Sequence, residues 1–170
     1  PNLSNKLGED IRTNNETLIS VSSLDKKKDF SKGIAIGSIL HADENSHLEI
    51  CRYSEGSNAW KWVHFPYATG KNVFFRVAKM FASLIKTPVQ FFKIYFVNPW
   101  ARSTVVLLFM QTLDSTIKLK RNILGKMTSS MSTGKRPSPF IPESIKLVKA
   151  YSEIVRGKTT SFGLETLAGI

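Results

Sequence analysis

The chain has 170 residues, 42% of them hydrophobic, with one cysteine and 24 Lys and Arg against 13 Asp and Glu. Such a length suits one domain and such an apolar share can build a core, while a lone cysteine excludes an internal disulfide. The net charge of +11 fits an acidic partner (nucleic acid, an anionic membrane surface or an acidic neighbouring domain) or a plain solvated surface.

"PNLSNKLGEDIRTNN" (1–15) is polar and turn-rich, with one short helix expected from Ser4. It starts without Met and shows no signal peptide, as an excised piece would. "ETLISVSS" (16–23) alternates and reads as a strand, and Lys26, Lys27 and Lys28 follow in an exposed turn. "GIAIGSIL" (33–40) is a second strand. Gly37 and Ser38 inside it mark a close approach by another group. "HADENSH" reads as a loop, and residues 47–53 form a third strand. Strand periodicity sends His47, Glu49 and Cys51 to one face of it and Leu48, Ile50 and Arg52 to the other.

Residues 70–97 carry polar residues at Asn72, Arg76, Lys79, Ser83, Lys86, Gln90 and Lys93, in alternating steps of four and three. That spacing traces one stripe along a helix that is otherwise apolar and aromatic. Pro88 should kink or break it, and its cations argue against a membrane span. Two placements suit such a helix. Its wide apolar side packs on the sheet with the stripe in water, or it lies in a membrane surface with cations at its border.

"STVVLLFMQTLD" (103–114) is a buried strand, and 115–122 and 126–132 form a hairpin turning at Gly125. "IPESIKLVKAYSEIV" (141–155) is a helix with Pro142 and Glu143 in its first turn. The tail "RGKTTSFGLETLAGI" shows no clear element, and no internal repeat is visible. Strands, a helical insertion, more strands and a final helix imply an α+β fold with a mostly antiparallel sheet.

Several chemistries lack their signatures. His41, His47, Cys51, Asp43, Glu44 and Glu49 crowd together, but no CxxC or HxxxH spacing supports a metal site. No GxSxG elbow, phosphate-binding loop or GxGxxG is present. Nucleic-acid binding has charge in its favour but no motif, and none is expected. Glu49 is either a rim residue or a positioned base.

Three stretches settle on a family. "PNLSNKLGEDIRTNNE" resembles the form PNLSxxLGxxxRTNSE found in glucose-methanol-choline flavin oxidoreductases of the cholesterol oxidase-like branch. "SKGIAIGSILHADENSHLEICRYSEGSNA" resembles its GVAI…HPDExTHxExVRYGxGSNA stretch, and "WARSTVVLLFMQTLDSTIKLK" its WSxRTVxLLVMQxLDNS stretch. Asn15, Ala42 and Ser54 are mild departures, and 70–97 is the least matched region. The resemblance implies an FAD-dependent oxidation of an alcohol CH–OH group, sterol-like in character. It makes residues 1–15 a lead-in from the FAD-domain side and 16–170 the substrate-binding domain. This piece would form the wall over the flavin and would neither bind FAD nor catalyse alone. Glu49 takes the place of a catalytic base. His47, Cys51, Met110 and Gln111 are assigned to the substrate pocket, and Asn14 to a cofactor contact. The family's catalytic histidine lies in a segment with no counterpart here, so His41, His47 and His64 are not that residue. The implied partners are the FAD-binding domain of the same parent, a small hydrophobic alcohol, and a membrane surface touched through 70–97. The implied location is cytoplasmic or peripheral to a membrane.

Overall fold

The computed structural model describes residues 3–137 and 140–168. Two runs with strand alternation pair first: β1 (Asn15–Ser23) and β5 (Thr104–Gln111) lie antiparallel, from Asn15 opposite Gln111 to Ser22 opposite Thr104. β3 (Ser46–Arg52) joins the other side of β5, so that His47 faces Met110 and Glu49 faces Leu108. β2 (Ile36–Asp43) forms one edge on β3. β8 (Gly157–Phe162) and the short β4 (His64–Pro66) extend the far side, giving the order β2-β3-β5-β1-β8-β4, antiparallel at every pairing. β6 (Ser115–Arg121) and β7 (Met127–Gly134) form a separate hairpin turning through Gly125 at positive φ. The lead-in is tied to this hairpin rather than left free: Ile11 bridges Ile117, and the Leu119 N–H donates to the Gly8 carbonyl. The α+β class with a mostly antiparallel sheet is therefore as the sequence implies.

Alternation decides where the core sits. Ile19, Val21, Leu48, Val105, Leu107 and Phe109 share one sheet face and are almost fully buried. α4 (Pro142–Ile154) covers them with Val148, Leu147 and Tyr151, flanked by Ile141 and Val155. Each such aliphatic side chain contributes about 1.5–3 kcal/mol by leaving water.

The opposite face is covered over half its length only. At one end, Ser22 and Thr104 share a 2.7 Å hydroxyl hydrogen bond under a lid of Tyr53, His64 and Trp100. The lid continues into Ala101, Phe91 and Ile94. It draws on a 3-10 turn (Asn58–Val63), α3 (Trp100–Ser103), α2 (Pro88–Phe92) and a π-turn (Lys93–Val97). Toward the other end, Leu18, Leu108 and Met110 are only partly buried and Glu16 is exposed.

Residues 70–97 form a broken helix as their spacing predicts, with α1 (Val73–Lys86), an interruption at Thr87, and α2 begun by Pro88. Asn72 caps α1 by accepting the Phe75 N–H at 3.0 Å. Of the two placements open to it, packing of the apolar side on the sheet is not the one observed, since Phe74, Phe81, Ile85 and Val89 are exposed. Arg76 of the polar stripe is buried, donating to the Gly70 carbonyl at 3.0 Å and the Leu167 carbonyl at 2.7 Å. The apolar side faces outward. The two Arg76 contacts pin the start of α1 to the Gly70 and Leu167 carbonyls, while Arg76 Nε is buried without a partner.

Other elements differ in detail. β2 begins three residues later than "GIAIGSIL" suggests and takes in His41, Ala42 and Asp43, which read as loop; only Glu44 and Asn45 turn. The close approach at Gly37 is real, but the neighbour is a side chain: a Cβ there would lie 2.7 Å from the Arg52 guanidinium. Ser4 starts a turn rather than a helix. β4, β8 and α5 (Gly163–Ala168) had no sequence expectation.

Because one face is packed and half of the other is open, two substitutions should diverge. Leu107→Ala should lower stability in urea unfolding by about 3 kcal/mol, the cost of a core cavity. Ile39→Ser, at a side chain 58% exposed, should change it by less than about 0.5 kcal/mol.

Candidate functional site

The open half of the sheet face gathers the row that β3 alternation predicts. His47, Glu49 and Cys51 all lie on it, and their strand partners place them beside Met110, Leu108 and Val106 of β5. On β1 the same rows continue into Glu16, Leu18 and Ser20. Leu18, Leu108 and Met110 thus form an apolar floor between Glu49 and His47 on one side and Glu16 on the other.

Glu49 is the most enclosed acid of the row, its side chain 14% exposed. Its Oε1 lies 3.4 Å from His47 Nε2, and the His47 side chain is 32% exposed. His41 faces His47 across the β2–β3 ladder, with ring centroids 6.0 Å apart. Burial raises the Cys51 thiol pKa, with the Glu49 and Glu16 carboxylates adding to the shift, so Cys51 is a neutral wall rather than a nucleophile.

Two assigned residues stand apart. Gln111 is one step out of phase with Met110, so it belongs to the other face of β5, where Asn15 Nδ2 donates to its Oε1 at 3.2 Å. Asn14 is exposed beside the floor, and its Nδ2 donates to Glu16 Oε2 at 3.2 Å. His64 belongs to the closed end: Trp60 O lies 2.9 Å from its Nδ1 and the Tyr53 hydroxyl 3.3 Å from its Nε2. Burial lowers its pKa, so it stays neutral and structural. Among the described residues, no group of three or more His, Cys, Asp or Glu is arranged to hold a metal.

Sequence reading missed two acids. Glu16 was visible in principle, since it alternates in phase with Leu18 and Ser20 along β1. Glu165 was not, because the tail gave no periodic pattern. The β1–β8 register pairs Ser20 with Thr160, and its extension brings the start of α5 alongside Glu16. At the third position of α5, Glu165 accepts the Phe162 N–H, the return half of a helix-capping box. Burial pushes its pKa up to about 7; the Phe162 hydrogen bond opposes this and the Glu16 charge reinforces it.

As chemistry, this surface offers a half-buried carboxylate paired with an imidazole over an aliphatic floor. It fits one wall of a site for a flat apolar group. Its residues do not fit a nucleotide cradle, because the sequence holds no glycine-rich turn to present backbone donors to a pyrophosphate.

Known proteins bear on the family rather than on the site. The chain is 35% identical over 162 residues to a cholesterol oxidase of Acinetobacter baumannii, covering 92% of this chain and 29% of that protein. It is 33% identical over 152 residues to the cholesterol oxidases of Mycobacterium tuberculosis strains CDC 1551 and H37Rv, covering 84% of this chain and 26% of each of those proteins. The chain therefore spans less than a third of the length of these relatives, and the resemblance carried by its three motifs is borne out. No protein-family model and no solved structure matches it.

The raised Glu165 pKa fixes a pH dependence. A carboxyl that titrates higher when folded favours the folded state below the ordinary carboxylate range and loses that advantage as pH climbs toward 7. Glu165→Gln should therefore melt a few degrees above the unsubstituted chain at pH 8. Calorimetry should show the difference shrinking to nothing by pH 4.

Proposed function

We propose that the chain is the substrate-side part of an FAD-dependent oxidoreductase that acts on the CH–OH group of a sterol-like alcohol. The observation that carries this is the enclosed Glu49 over the Leu18, Leu108 and Met110 floor, in a chain similar to part of several cholesterol oxidases. The open half of the sheet face would be closed by the FAD-binding domain of the same parent, which leaves the alcohol between the two. FAD, when bound there, supplies the hydride acceptor.

The residues of this chain have three tasks. The aliphatic floor holds the apolar body of the alcohol and excludes water. Glu49 would accept the hydroxyl proton of the alcohol at a carboxylate oxygen as the C–H bond is broken. His47, 3.4 Å from Oε1, orients that carboxylate and steadies its charge. Cys51 and Met110 line the same face, whereas Gln111 supports the strand pairing from the other side. Asn14, hydrogen-bonded to Glu16 at the edge of the floor, would meet the cofactor from the lead-in side.

In the full-length parent, Glu49→Gln should lower turnover by roughly 100- to 10,000-fold with the fold intact, the range of a lost general base. A fall of less than about threefold in steady-state assays would make Glu49 a rim residue. The 170-residue chain alone, purified and incubated with FAD, should remain colourless after desalting, because it has no pyrophosphate-binding turn.

A further inference from the structure

The outward side of the broken helix is a continuous apolar ridge. Phe74, Phe81, Ile85, Val89, Phe92 and Phe96 recur at helical spacing, and each is more than half exposed, from 55% at Phe81 to 82% at Phe74. Phe92 and Phe96 stack at 5.3 Å, and Phe96 meets the Trp62 ring at 5.8 Å. Through Trp62 the ridge runs into an apolar groove of about 580 Å³ lined by Trp60, Phe65, Phe162, Leu164 and Leu167. Soluble surfaces seldom leave so many large apolar side chains together in water.

Charge narrows what covers this surface. Residues 56–113, which contain the whole ridge, include seven Lys and Arg and no Asp or Glu. Backbone carbonyls accept from the buried Arg76, from the half-buried Lys61 (Tyr95, 2.8 Å) and from the exposed Lys79 (Thr69, 2.8 Å). Lys71, Lys86 and Lys93 are exposed. An apolar ridge bordered by lysines and free of acids complements an anionic lipid surface, where aromatic rings enter the headgroup boundary and ammonium groups meet phosphates. No helix among the described residues is long and apolar enough to cross a membrane, and the break at Thr87 keeps each segment short. A ridge parallel to the bilayer plane is the geometry that remains.

We propose that α1, α2 and the π-turn, with Trp62 at the end, dock in the plane of an anionic lipid surface, held apolar side outward by the Arg76 contacts. The proposal does not depend on the role of Glu49.

The test is co-sedimentation of the full-length parent with vesicles of phosphatidylcholine alone or with phosphatidylglycerol. The protein should pellet with the mixed vesicles at low salt, and binding should weaken as salt rises. Phe74→Ser with Phe81→Ser and Ile85→Ser should cut binding at least about tenfold. Lys86→Glu with Lys93→Glu should cut it about 30-fold, from roughly 1 kcal/mol per charge. Glu49→Gln should leave it unchanged, which separates this idea from the catalytic one. Protein that stays in the supernatant at low salt would overturn the proposal, as would binding indifferent to both sets of substitutions. So would a lipid-free dimer that the serine variant dissociates, since a second copy would then own the ridge. Protection of Phe74 and Phe81 from hydroxyl-radical oxidation without lipid would assign it to another part of the parent and overturn the proposal equally.

Discussion

The unequal covering of β5 governs the rest of the molecule. Thr104 to Leu107 are buried on both faces, whereas beyond them Leu108 and Met110 are open on one face while Phe109 stays buried on the other. A strand covered on both faces can carry a nearly continuous apolar run, and one covered on a single face must alternate. β5 does both in eight residues. Its partners are bound by register to follow, so β1 runs from exposed Glu16 to buried Ser22, and β3 carries its polar row where the cover ends. The candidate site is the place where the second layer stops.

That layer stops because of how its pieces are held. Trp100 packs against Tyr53 and His64, each at 4.9 Å, and this aromatic knot anchors the broken helix at its C-terminal end. Arg76 anchors the other end through the Gly70 and Leu167 carbonyls. Between the anchors, α1 contributes little to the core, and Arg76 is its one fully buried side chain. The helix behaves as a strut laid along the rim rather than as a slab on the sheet, and so it leaves both its own apolar side and the end of the sheet face uncovered.

Much of this was legible in the sequence. Period-two alternation located β1 and β3 to within a residue, and it put His47, Glu49 and Cys51 on one face; the apolar run of 103–114 located β5 but overran its end at Gln111 by three residues. The break at Pro88 and the turn at Gly125 were legible because they follow from one residue's backbone chemistry. The anchoring of α1 was not. Asn72, Lys79, Lys86 and Lys93 of the polar stripe are exposed as such a stripe implies, but Arg76 turns inward to the Gly70 and Leu167 carbonyls, the second 91 residues away, which no local pattern shows. β8 and Glu165 escaped for a related reason. "GKTTSF" has no apolar alternation because its small polar side chains are buried against β1, with Ser161 bonded to Thr166 at 2.6 Å. Gln111 lies on the opposite face of β5 from Met110, since neighbours in a strand point to opposite faces.

The bulges in β2 bear on how this protein meets others. Its register slips between Ile36 and Ile39, where Gly37 lets the Arg52 guanidinium lie against the backbone, and again between His41 and Asp43. An interrupted ladder makes a poor template for a visiting strand, although Ile36, Ile39 and Leu40 there are exposed. At the opposite margin, β4 is three residues long and ends in Pro66, which has no N–H to offer. Neither margin invites another chain to continue the sheet, so aggregation by strand addition is discouraged at both ends despite a surface rich in isoleucine and phenylalanine.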